Sequence, residues 1–278
     1  MPVEIRTLLD LPVADVPVSG GSRTLLLDLY LPQNTGGPLP LLIYIHGGGW
    51  KQGIQYRPPF KPRLFDEGIA VAAITYRFSH EAPFPACLHD CKLMTRWLRA
   101  HATDFHLDPD RFALWGISAG GHLASLMATT QHLPDFEGSG GWNDQHSSVL
   151  AVCNTCGPTH LSRIATDPVP GKDMIEMTSA LLGGLLHKNL DRAAAASPLT
   201  HVSPSTPPHL ILHGADDPVV PPYHATDLHQ KLLDTGVESE LILLPHTTHT
   251  IEPDQMDQPV RAFLDRHLRR RGQPLDFG

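Results

Sequence analysis

Apolar residues along the chain fall into short continuous runs, and stretches of helical spacing separate them. The runs "TLLLDLYLP" (24–32), "PLLIYIHGGGW" (40–50), "IAVAAITYRF" (69–78), "DPDRFALWGI" (108–117), "SVLAVCNTC" (148–156), "HLILHG" (209–214) and "SELILLP" (239–245) read as strands. Several of them end at glycine or proline. Between them, 85–102 carries Leu88, Cys91, Met94 and Leu98 on one helical face. Further helices are predicted at 119–133, 172–186, 221–236 and 257–270. Unbroken apolar strands that alternate with helices predict a mainly parallel sheet, flanked by helices and buried on both faces. In such sheets, functional groups gather on loops beyond the carboxyl ends of the strands. The interval 131–207 is irregular and rich in Gly, Pro, Ser and Thr. It reads as a small lid insertion on one domain that covers 1–278.

Composition narrows the function. The chain has 278 residues and a formal net charge of −8, which argues against a nucleic-acid partner. The longest apolar run is strand-sized, so no membrane span is expected. The start "MPVEIRTLLDLPV" lacks the basic and apolar regions of a signal peptide. Cytoplasmic residence is the default expectation, although a secreted protein trimmed of its signal would read the same. Cys87 and Cys91 share a helix turn, and Cys153 and Cys156 form a second close pair. Buried thiols acting as small hydrophobes fit them better than a metal site or disulfide. Composition is silent on oligomeric state.

Four short motifs carry the chemistry. Gly116-Ile117-Ser118-Ala119-Gly120 lies between a strand and a helix. Flanking glycines permit a sharp turn that lifts the serine hydroxyl above the sheet, at a helix N-terminus that favours developing negative charge. A serine here also suits a plain helix cap. Upstream, "HGGGW" (46–50) follows a strand, and its glycines let backbone amides approach an oxyanion. Downstream, "HGADDPVVP" offers two carboxylates, Asp216 and Asp217, in a turn past a strand end. "PHTTHTIEP" offers two histidines, His246 and His249. The chain order Ser, Asp, His is that of the α/β-hydrolase arrangement.

With these motifs in place, the sequence resembles the hormone-sensitive-lipase-like carboxylesterases of the α/β-hydrolase superfamily, and most closely the bifunctional feruloyl/acetylxylan esterase (BD-FAE) branch. "TYRFSHEAPFPACLHD" and "LDPDRFALWGISAGGHLA" extend the likeness over roughly residues 20 to 270. The resemblance implies an α/β-hydrolase fold. Its HG-x-x-D-x-x-V-P pattern falls on His213 to Pro221 and selects Asp217. Its G-x-G-H-G-F pattern falls on His246 to Ile251 and selects His249, with histidine, threonine and isoleucine standing where the family has glycines and phenylalanine. It implies Ser118, Asp217 and His249 as the catalytic residues, and Gly48, Gly49 and Ala119 as oxyanion donors. His46 and Asp90 take structural roles. Trp50, Tyr56 and Ile251 are candidate pocket residues.

The resulting expectation is a serine carboxylesterase acting through an acyl-enzyme, with no metal or organic cofactor. Its partners would be small-molecule or oligosaccharide esters: short acyl or aryl esters, acetyl or feruloyl esters of plant polysaccharide, or polyester fragments. Two alternatives stay open. One is arylformamidase chemistry on N-formylkynurenine. The other is a non-catalytic ligand-binding protein on a hydrolase scaffold.

Overall fold

The computed structural model describes residues 3–33, 36–53, 63–166 and 172–268. Its strands are β1 (Ile5–Val18), β2 (Gly21–Pro32), β3 (Leu39–Ile45), β4 (Ala70–Ile74), β5 (Leu107–Ile117), β6 (Val152–Thr155), β7 (His209–Gly214) and β8 (Ser239–Leu244). Its α-helices are α1 (Arg63–Asp66), α2 (Ala86–Ala100), α3 (Ala119–Thr129), α4 (Lys172–Leu182), α5 (Leu190–Ala195), α6 (Tyr223–Asp234) and α7 (Pro253–Leu268). The strands form one sheet in the order β1-β2-β4-β3-β5-β6-β7-β8. The pairings of β1 with β2 and of β2 with β4 are antiparallel, and all pairings from β4 through β8 are parallel.

The unbroken apolar runs mark the middle of the sheet. Every residue of β4, β6 and β7 is buried. One face of β3 and β5, with Ile43, Ile45, Phe112 and Leu114, packs on α2 and α3 through Leu88, Met94, Leu123 and Leu126. The other face, with Leu42, Tyr44, Ala113 and Trp115, shares a core with Met256, Val260, Phe263 and Leu264 of α7. This two-sided burial is what continuous apolar strands require.

One feature departs from the sequence reading. β1 has no counterpart among the predicted strands, because its residues are mostly exposed or half-buried and it contains prolines. Such an edge strand lacks the apolar run that identifies central ones. The predicted strand 148–156 is β6, a core strand only four residues long that crosses the interval 131–207. What lies outside the sheet falls before and after β6, and the later part contains α4 and α5. Among the described residues, no helix is long and apolar enough to cross a membrane.

Candidate active site

The site stands at the carboxyl end of the parallel strands. β5 ends at Ile117 and α3 starts at Ala119, leaving Ser118 alone to make the turn. Its backbone adopts φ 56° and ψ −120°, a conformation that non-glycine residues rarely take. The turn is tight because its glycines are crowded. A Cβ on Gly120 would stand 2.0 Å from the Ile45 carbonyl oxygen. Only glycine lets α3 start this close to β3. The Ser118 N–H already donates to the Thr155 carbonyl (2.7 Å). Ala119 follows in the first turn of α3, where backbone N–H groups lack helical acceptors.

Ser118 Oγ lies 2.9 Å from His249 Nε2, and His249 Nδ1 lies 2.7 Å from Asp217 Oδ2. Asp217 Oδ1 accepts N–H groups from Val219 (2.8 Å) and Val220 (2.9 Å). His213 Nε2 stands 3.3 Å from Asp217 Oδ2. Burial alone would raise the Asp217 carboxyl. Hydrogen bonds from His213 and His249 outweigh it and hold the group well below the usual carboxylate range. Asp217 is thus an anion whose oxygens are both occupied and whose side chain is closed to solvent.

The neighbours in each pair lie elsewhere. Asp216 and His246 face solvent, with His246 Nδ1 3.9 Å from Asp216 Oδ2; the His246 side chain is 97% exposed and that of Asp216 62%. The histidine loop is fixed through its backbone. Ala215 N–H donates to the Leu244 carbonyl (2.9 Å) and Asp216 N–H to the Thr247 carbonyl (3.0 Å). These bonds hold His249 over Ser118 without the family's glycines. His246 nevertheless keeps the backbone of a glycine, with φ 55°, at the position where the family pattern has one.

The glycine loop lies beside Ser118. A Cβ on Gly47 would stand 2.8 Å from the Ile117 carbonyl and 3.3 Å from Ser118 Cβ. Gly48 and Gly49 take φ 114° and 60°, and a Cβ on Gly49 would stand 2.3 Å from Met177 Sδ of α4. The helix from the second part of the excursion therefore covers this loop. His46 anchors it from below, donating from Nδ1 to the Gly47 carbonyl (2.7 Å) and stacking on Tyr76 with ring centroids 4.5 Å apart.

The candidate pocket residues fare differently. Trp50 does not line an open pocket. It is 1% exposed, and its indole donates to His122 Nδ1 (3.1 Å), while His122 Nε2 donates to the Ala196 carbonyl (2.7 Å). A tryptophan with a buried partner for its N–H fills core, and here it ties the glycine loop to α3. Ile251 is also buried, in the core shared with α7. Tyr56 lies outside the described residues. Asp90 is structural: Arg77 grips it with Nε (2.8 Å) and a terminal guanidinium nitrogen (2.7 Å). All four cysteines are buried and free.

Sequence reasoning passed over His213 and Met177. The first sits in the quoted "HG" pattern, where its neighbour Gly214 draws the eye. The second reaches the glycine loop only through tertiary packing. Among the described residues, Cys156, His213 and Asp217 form the one group of potential metal ligands, their donor atoms within 4.8 Å of one another. Burial pushes the Cys156 thiol up to about 12, which disfavours the thiolate a metal would need.

Comparison with known proteins identifies the family. The BD-FAE family model matches residues 27–232. The chain is 31% identical over 224 residues to "Probable carboxylic ester hydrolase LipM" of Mycobacterium tuberculosis, covering 78% of this chain and 50% of that protein. It superposes on the bifunctional GH43-CE protein of Bacteroides eggerthii with a TM-score of 0.85 at 29% identity, covering 95% of this chain and 35% of that one. A butyrate-bound thermophilic esterase, Est2 of Thermogutta terrifontis, gives 0.70 at 26% identity over 88% of this chain and 87% of its own. The chain thus spans about half the length of its curated relative LipM. With the sheet order, the serine turn and the family match in agreement, this chain has the α/β-hydrolase fold and belongs to the BD-FAE family.

Proposed function

We propose that the protein is a serine carboxylesterase that works through an acyl-enzyme. The observation that carries this reading is the continuous hydrogen-bonded line from Ser118 Oγ through His249 to the buried Asp217 carboxylate. His249 Nε2 takes the Ser118 proton as Oγ attacks the ester carbonyl. The Gly48, Gly49 and Ala119 amides stabilise the oxyanion. His249 then protonates the leaving alcohol. Water, deprotonated by the same nitrogen, attacks the acyl-enzyme and releases the acid. Asp217 fixes the His249 tautomer and offsets the imidazolium charge.

The whole chain acts as a single hydrolase domain in this reading, which one continuous sheet supports. The substrates are short-chain acyl or aryl esters, including acetyl esters on sugars. The family membership and the carbohydrate-esterase and butyrate-bound neighbours support that class. Met177 narrows the space above the glycine loop and favours small groups there.

The test is labelling by a fluorophosphonate probe, followed by turnover of p-nitrophenyl esters of rising chain length beside acetylated xylan and methyl ferulate. Stoichiometric labelling at Ser118 and fastest turnover of the shortest esters are expected. An unlabelled, folded protein would sink the reading.

A further inference from the structure

His213 is a fully buried imidazole at the end of β7, outside the line that runs from Ser118 to Asp217. Its Nε2 lies 2.8 Å from the Val220 carbonyl and 3.3 Å from Asp217 Oδ2. Both neighbours are acceptors, so Nε2 carries the hydrogen. Nδ1 is buried and has no hydrogen-bond partner among the described residues. A ring of contacts results. His213 reaches the Val220 carbonyl, the Val220 N–H reaches Asp217 Oδ1 (2.9 Å), and Asp217 Oδ2 turns back to His213. That oxygen also receives His249 Nδ1. The ring fixes the carboxylate plane, so that Oδ2 points at the base. The titratable groups facing His213 are Asp217, Cys156 and, from α6, His224.

We propose that His213 is a positioning residue, which orients the Asp217 carboxylate and tempers its hold on His249 by sharing Oδ2. This rests on the reading of Ser118, His249 and Asp217 given above. Cys156 also hydrogen-bonds the Asp217 carboxylate; with the His213 contact gone, the charge on Oδ2 is nevertheless less dispersed and stabilises the His249 imidazolium more strongly. The base then loses its proton only at higher pH. The carboxylate is also free to rotate, and small misplacements of catalytic groups are costly.

The experiment compares the wild type with His213→Phe, each titrated with the fluorophosphonate probe so that rates refer to reactive serine. A failure of labelling in the wild type counts against the esterase reading itself. With labelling intact, His213→Phe is expected to lower kcat about tenfold or more with KM nearly unchanged. The acid limb of kcat/KM moves to higher pH. Destabilisation alone would reduce the titre and leave both unchanged per labelled site. Independently of any variant, nitrogen NMR of the histidine-labelled wild type should show His213 with its hydrogen on Nε2. Unchanged kcat and acid limb in titrated His213→Phe, or a hydrogen on Nδ1 in the wild type, would overturn the proposal.

Discussion

His249 Nε2 stands 2.9 Å from Ser118 Oγ although 131 positions separate the two residues. The sheet makes this contact. β5 delivers the serine, β8 leads into the histidine loop, and the turn after β7 pins that loop through the Thr247 carbonyl.

Ser118 stores strain in its backbone. Ser118→Ala should lower ester turnover by at least about a thousandfold while the fold persists. Ser118→Gly should be equally inactive yet more stable, since glycine accepts φ 56° without cost. A gain of about 1 kcal/mol, or ~2 °C in Tm, is expected by calorimetry. A lower Tm for the glycine variant would count against strain at this turn.

The two aspartates should separate by orders of magnitude. Asp217→Asn removes the buried anion hydrogen-bonded to His249, the proposed base, and a loss in kcat of about 10⁴-fold is expected. Asp216→Asn alters an exposed carboxylate, and steady-state rates should stay within about twofold. Equal, mild effects would exclude Asp217 from the role assigned to it.

His246→Gly should be a stabilising substitution. The residue holds φ 55° with its side chain in water, so glycine relieves the backbone at little loss of contact. About 0.5 kcal/mol of added stability with unchanged kcat is expected from urea titration and initial rates. His249→Ala, by contrast, should abolish turnover.

Gly49→Ala places a methyl group 2.3 Å from Met177 Sδ at φ 60°. Methionine is flexible and can retreat, but the backbone cannot keep that conformation cheaply with a Cβ. Loss of kcat by about a hundredfold is expected. Met177→Ala should leave kcat for acetyl esters near wild type and raise kcat/KM for longer acyl chains. Failure of a chain-length panel to shift would remove Met177 from the specificity surface.

Acid should destabilise the protein as pH falls below about 6.5. Burial pushes His122 and His209 down to about 4 in the folded state, against 6.5 for a free imidazole. Their folded values are depressed, so their contribution is complete above pH 6.5. It falls as pH drops from 6.5 towards 4, because only the unfolded chain takes up protons there. Each group contributes a slope of about 1.4 kcal/mol per pH unit. Tm measured across this window should fall steeply, and His209→Phe should flatten the slope. A Tm independent of pH between 6.5 and 4 would contradict the burial of both rings.

The chain by itself determined the parallel core. Continuous apolar runs can be buried only on both faces, so the central strands and their flanking helices were legible from pattern alone. Motif spacing likewise named Ser118, the glycine loop and the order of acid and base, because sharp turns and close approaches demand glycine wherever they occur. Choosing between Asp216 and Asp217, or between His246 and His249, needed the family resemblance. Adjacent turn residues differ in which way they point, and only folding turns one inward and leaves the other in water. Tertiary structure alone revealed β1, whose edge position leaves no apolar run. It also moved Trp50 from pocket to core and brought Met177 onto Gly49 and His213 onto Asp217. Those contacts join segments far apart in the chain or depend on side-chain direction, and neither composition nor periodicity records them.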